Sequence, residues 1–196
     1  MNAMNTNTLI FAVVLIVAVG AIVAWVLMQR QRSERLRQRF GPEYTRAVDE
    51  LGGRTKAEAE LARREERVAR LNITALAPAD ATRFSQAWNT LQSRFIDNPK
   101  GVVAEADHLV RELMLKRGYP MGDFERRAAD ISVDHPGIVT TYRMAQAIAV
   151  RNEGGEADTE ELRKAVVHYR KLFDELLEVE PTSATRPSAG PLPVHS

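Results

Sequence analysis

Cysteine occurs nowhere in the 196 residues, which removes disulfides, thiolate metal sites and cysteine nucleophiles at once. The absence fits a reducing compartment. Lysine is scarce, five residues against 22 arginines, and aromatic residues reach only 6%. The formal net charge is +1, so the chain as a whole is drawn neither to nucleic acid nor to acidic ligands. No stretch sustains the period-two alternation of a half-buried strand. The P-loop, the dinucleotide fingerprint and the G-x-S-x-G elbow are also missing. From these absences we expect no cofactor, no nucleic-acid partner and no enzymatic activity.

What is present begins with "LIFAVVLIVAVGAIVAWVLM", Leu9 to Met28, without one charged side chain. Twenty helical residues span roughly 30 Å, the thickness of a bilayer's hydrocarbon core. A cleaved signal peptide would need a basic start, a shorter apolar core and a small-residue cleavage site. Here "MNAMNTNT" carries no Lys or Arg, and Trp25 and bulky aliphatics precede "QRQR". A retained anchor is therefore expected, with Trp25 in the interfacial belt. Residues 29–39, "QRQRSERLRQR", then carry Arg30, Arg32, Arg35, Arg37 and Arg39 against one Glu. Such a flank favours the cytoplasmic side and can hold anionic headgroups. The expected partner is thus the lipid bilayer, with the amino terminus outside and the soluble domain inside the cytoplasmic membrane. Gly20 and Ala24 form a small-xxx-small pair on which a second copy could pack as a homo-oligomer.

The remainder reads as amphipathic helices. Gly41-Pro42 breaks the chain after Phe40, and "PEYTRAVDEL" runs to the Gly52-Gly53 stop. Residues 54–71 have a narrow strip of Ala57, Leu61, Val68 and Leu71, suited either to a stalk that self-associates or to a solvated helix lying on the body. Phe84, Trp88, Leu91 and Phe95 then share one helical face. The next helix offers Val102, Ala106, Leu109 or Val110, and Leu113. It is followed by Ile138, Tyr142, Ala145 and Ile148 or Ala149, and by Leu162, Val166, Tyr169, Phe173 and Leu176. "PTSATRPSAGPLPVHS", 181–196, has four Pro and no periodicity, as a disordered tail would. The expected class is all-α: a single transmembrane helix and a bundle of five to six helices. Its divisions are a short tail (1–8), the anchor (9–28), a basic segment (29–39), charged amphipathic helices (40–77), the bundle (78–180) and the tail (181–196).

Two places invite chemistry. Glu105 and His108 form an E-x-x-H pair with Glu112 a turn further, but a di-iron bundle needs a second such pair, and Ala165 and Ser132 stand where it would require Glu. We therefore expect no metal. The second place is "RGYPMGDFERRAADISVDHP", 117–136, in which Tyr119, Asp123, Arg127 and His135 could line a ligand pocket. The same residues also make a helix corner. Gly118 stops one helix, Asp123 caps a short one that turns Phe124, Ala128 and Ile131 inward, and Asp134 caps the helix that Pro136 opens.

The anchor, "LRQRFGPEYTRAV", the 117–136 corner and "LRKAVVHYRKLFDELL" together resemble a group of uncharacterised bacterial single-pass membrane proteins, often labelled hypothetical or secreted. The resemblance covers most of 9–179 and implies a bacterial source, one anchor and a helical domain, with no functional residues to transfer. The positive-inside argument opposes the secreted label. The function expected is a membrane-anchored, non-enzymatic interaction or scaffold protein with a protein partner. The alternative is a tethered small-molecule or metal-binding domain with its site near 119–135.

Overall fold

The computed structural model describes residues 6–178. Residues 1–5 and the whole 181–196 segment, expected to be disordered, lie outside them. Among the described residues there are eight helices and no strand. Seven follow the first, two within 40–77 and five from 78 onward, so the expected count of five to six is not exact.

The first helix, α1 (Thr6–Phe40), runs unbroken for 35 residues, roughly 52 Å. It is long and apolar enough to cross a membrane. Its apolar side chains from Val13 to Met28 point outward, with Trp25 64% exposed. The basic segment is thus the carboxyl-terminal end of α1 itself. Gly41, at φ 49°, ends α1, and Pro42 opens α2 (Pro42–Leu51). The Gly52-Gly53 turn sends the chain back as α3 (Arg54–Val68). Residues 30–71 therefore fold on themselves, and α3 packs on α1, α2 and α6.

The larger part comprises α4 (Pro78–Ser93), α5 (Pro99–Arg117), α6 (Phe124–Asp134), α7 (Pro136–Glu153) and α8 (Thr159–Leu176). The antiparallel α7–α8 pair is its spine, with α5 on α8, α4 on α5 and α6 on α7. The expected faces meet there. Phe84, Trp88, Leu91, Val102, Ala106, Leu113, Tyr142, Tyr169 and Phe173 are buried in one core, with Trp88 stacked on Phe173 at 4.7 Å.

Gly118, at φ 99°, closes α5. A Cβ there would stand 2.4 Å from the Asn72 carbonyl oxygen, so no other residue fits without moving the α3–α4 connection. That connection is tied down by buried Arg117, which donates to the Thr74 and Leu176 carbonyls and pairs with Glu178. One capping expectation needs correction. Asp134 is the last residue of α6 rather than the cap of α7, whose N-cap is His135 without a side-chain bond. Position 134 stays helical because the chain turns only at the pre-proline residue, where the helical region is disfavoured. Asp158 caps α8, through a capping box with Glu161.

Candidate functional site

The four corner residues take four separate places. Tyr119 is fully buried in the main core, and burial pushes its phenol up to about 12. It therefore keeps its proton at neutral pH. Asp123 caps α6, accepting from the Arg126 N–H at 2.8 Å. Arg127 is buried and donates to the Gly122 carbonyl at 2.6 Å and the Tyr142 hydroxyl at 3.3 Å. His135, at the α6–α7 corner, meets Glu175 at 3.0 Å. Surface cavities of 300 to 450 Å³ open on α1, on α3 and between α4 and α5, and none of the four lines them. Glu105 pairs with Arg94, while exposed His108 stands 3.7 Å from Glu112. Among the described residues no three His, Asp or Glu side chains converge as a metal site would require.

Charged side chains converge instead where α1 enters the domain. Leu36 and Phe40, both 0% exposed, sit among Tyr44, Ala47, Ala57, Leu61, Val68 and Val133. Burial of side chains of this kind contributes about 1.5–3 kcal/mol each. Directional contacts surround this small core. Ser33 and Tyr44 donate to buried Glu58 at 2.6 and 2.8 Å, fastening α1 and α2 to α3. Arg35 and Arg39 reach Glu65 at 2.7 and 3.2 Å, and Arg39 also donates to the Val133 carbonyl. Two of the five basic-segment arginines are thus held against the domain.

Two further networks lock the helices together. Glu43, buried on α2, takes both oxygens to Arg143 of α7 at 3.2 and 3.4 Å, with Arg46 and Arg64 within 4 Å. Burial pushes its carboxyl up, and Arg46 and Arg64 oppose the push. Asp130 of α6, 1% exposed, accepts from Arg67 of α3 at 2.8 Å.

Against this background the unpaired arginines stand out. Every described arginine joins an ion pair with another described residue except Arg30, Arg32, Arg37, Arg54 and Arg127. Three of them, Arg30, Arg37 and Arg54, line a single cavity of about 430 Å³ with Gln29, Ser33, Glu34 and Thr55. Arg54 and the Glu43 and Glu58 networks escaped the sequence reading. A usable signal did exist: α2 has ten residues, nearly matching the stretch 30–40, so the turn that follows returns the chain to the level of Arg30. No family model, curated protein or solved structure matches this chain.

Proposed function

We propose that this is a single-pass membrane protein whose helical domain is held in a fixed orientation at the cytoplasmic face of the membrane, where it docks a protein partner without catalysing a reaction. The likeness to bacterial single-pass proteins belongs to the same proposal. The observation that carries it is the continuity of α1, which leaves the apolar stretch and becomes a core element of the domain at Leu36 and Phe40. A loose tether would need no such seat. The arginine-rich flank of the apolar run supports the cytoplasmic side.

Topology is testable in this Cys-free chain. Single cysteines at position 2 (Asn2→Cys) and at the α4–α5 turn (Ile96→Cys, a position 91% exposed) should differ toward an impermeant maleimide in intact cells. Labelling at 2 alone is expected; labelling at 96 alone would move the domain to the other side. A photo-crosslinker at Ile96 or at Val150, an exposed apolar residue of α7, should then trap a discrete polypeptide. If no polypeptide were trapped from either position, the docking role would fall.

A further inference from the structure

We propose that Arg30, Arg37 and Arg54 form a discrete binding site for a phosphodiester monoanion at the depth of the lipid headgroups. The inference rests on the membrane-anchored reading above and deepens it. General attraction between a basic segment and an anionic membrane needs no particular geometry. The arrangement here is particular. Arg30 and Arg37 come from α1 and Arg54 from the start of α3, 24 and 17 positions away along the chain, and the three meet on one cavity wall. They are free in a chain where the other described arginines, apart from Arg32 and Arg127, are paired, and Arg35 and Arg39 on the same helix are taken up by Glu65.

Charge selects the class of ligand. Three guanidinium groups face two carboxylates in the lining, Glu34 and Glu58. Glu58 already accepts two hydroxyl bonds and is turned inward. The wall therefore carries one excess positive charge, which matches a phosphodiester with its single negative charge better than a polyphosphate. Guanidinium is the group suited to bidentate phosphate contacts, and Ser33 and Thr55 add hydroxyls to the same lining.

Depth selects the source. The apolar run ends at Met28, and Gln29 to Ser33 extend only about 1.5–8 Å beyond it. A bilayer of about 30 Å hydrocarbon adds roughly 5–8 Å of headgroup on each side. The cavity's membrane-side end, at Gln29 to Ser33, opens within that layer, where phosphatidylglycerol or a related lipid presents its phosphate. Arg37 stands at its inner end, about 13.5 Å past Met28, with a long side chain that leans back toward the helix amino terminus.

The test uses the full chain, purified in mild detergent and placed in phosphatidylcholine nanodiscs containing a minor fraction of phosphatidylglycerol. Native mass spectrometry then counts the lipids that stay bound on release. One phosphatidylglycerol per chain is expected to be retained. Arg54→Gln, which leaves the basic flank of the anchor intact, should cut the retained fraction roughly tenfold, and Arg37→Gln should act alike. Arg63→Gln removes the same charge from an exposed position of the same helix and should change nothing. Equal retention in all four proteins would overturn the site, since diffuse attraction would then suffice. A thermal shift with inorganic phosphate in lipid-free detergent, lost in Arg54→Gln and unaccompanied by lipid retention, would keep the phosphate site and overturn the lipid as its source. Release of the chain from membranes by alkaline carbonate would sink the anchor reading separately.

Discussion

The two cores of this molecule are built on different terms. The larger one, between α4, α5, α7 and α8, is filled by Trp88, Phe84, Tyr142, Tyr169 and Phe173, and its cohesion is mainly that of apolar area removed from water. The smaller one, where α1 meets α2, α3 and α6, has eight buried residues, with Phe40 and Tyr44 its only aromatic side chains. Around it lie the buried acids Glu43, Glu58 and Asp130, each matched to donors on a neighbouring helix. Apolar packing tolerates sliding as long as volume is kept, whereas a buried carboxylate with fixed donors does not. The contrast teaches that the first core supplies stability and the second sets the angle and register at which α1 enters.

The sharpest way to break the comparison is to damage each core in its own currency. Trp88→Ala should destabilise the domain by about 3–5 kcal/mol, read as a lower denaturant midpoint, while leaving α1 seated in whatever fraction stays folded. Glu43→Gln comes next. It turns the charge-assisted bonds from Arg143 into neutral ones, while Arg143, Arg64 and Arg46 keep Glu125, Glu60 and Glu50 as partners. Burial already disfavours the Glu43 charge, so the substitution should cost about 1 kcal/mol. Its signature should be local: hydrogen exchange should quicken in α1, α2 and α3 before α8. If α8 opened first or all helices opened together, the division of labour between the cores would be wrong.

The larger core was legible from the chain because its logic is periodic. Phe84, Trp88 and Leu91, or Leu162, Val166, Tyr169 and Phe173, fall on a helical stripe, and a stripe of that kind has one use in a soluble bundle. The junction was not legible, for a physical reason. Glu43 and Arg143 are 100 positions apart, and Arg67 and Asp130 are 63 apart. Nothing in local spacing distinguishes such partners from solvated surface charges. Arg54 was hidden only in part: the ten-residue length of α2 sets its level near Arg30, but the side of α1 on which α3 returns is a property of the fold. The corner at 117–136 drew attention because its residue types are unusual together. Gly118 and Asp123 do the backbone work expected of a corner, Arg127 and His135 bond Tyr142 and Glu175, and Tyr119 fills the core with its hydroxyl unpartnered among the described residues.

A smaller perturbation sharpens the picture of the seat. Glu65→Ala frees Arg35 and Arg39, which are 66% and 45% exposed, so the loss of stability should stay at about 0.5–1 kcal/mol. The mobility of a spin label at Gln38, on the exposed side of α1, should rise nonetheless, because the ion pairs fix orientation more than they add stability. An unchanged spectrum would mean that Leu36 and Phe40 alone hold the helix.

The smallest effect belongs to His168 on α8, on the edge of the larger core. Burial lowers its affinity for a proton, and Lys171 and Lys164 nearby lower it further. Its folded pKa therefore lies below the unfolded value, and the unfolded chain binds more protons in the interval between them. Stability must then fall as pH drops from about 6.5, the unfolded value, toward the folded one. His168→Gln removes that dependence while keeping a polar side chain at the site. Denaturant melts of both proteins between pH 7 and pH 5 should diverge only slightly, with the wild type losing more. If the divergence caused by His168→Gln were the same with and without Glu43→Gln, the two cores would be contributing independently, as expected for sites that share no partner. A divergence altered in the Glu43→Gln background would instead show that the junction's charges reach α8 through α7, the helix that carries Arg143 and packs on both.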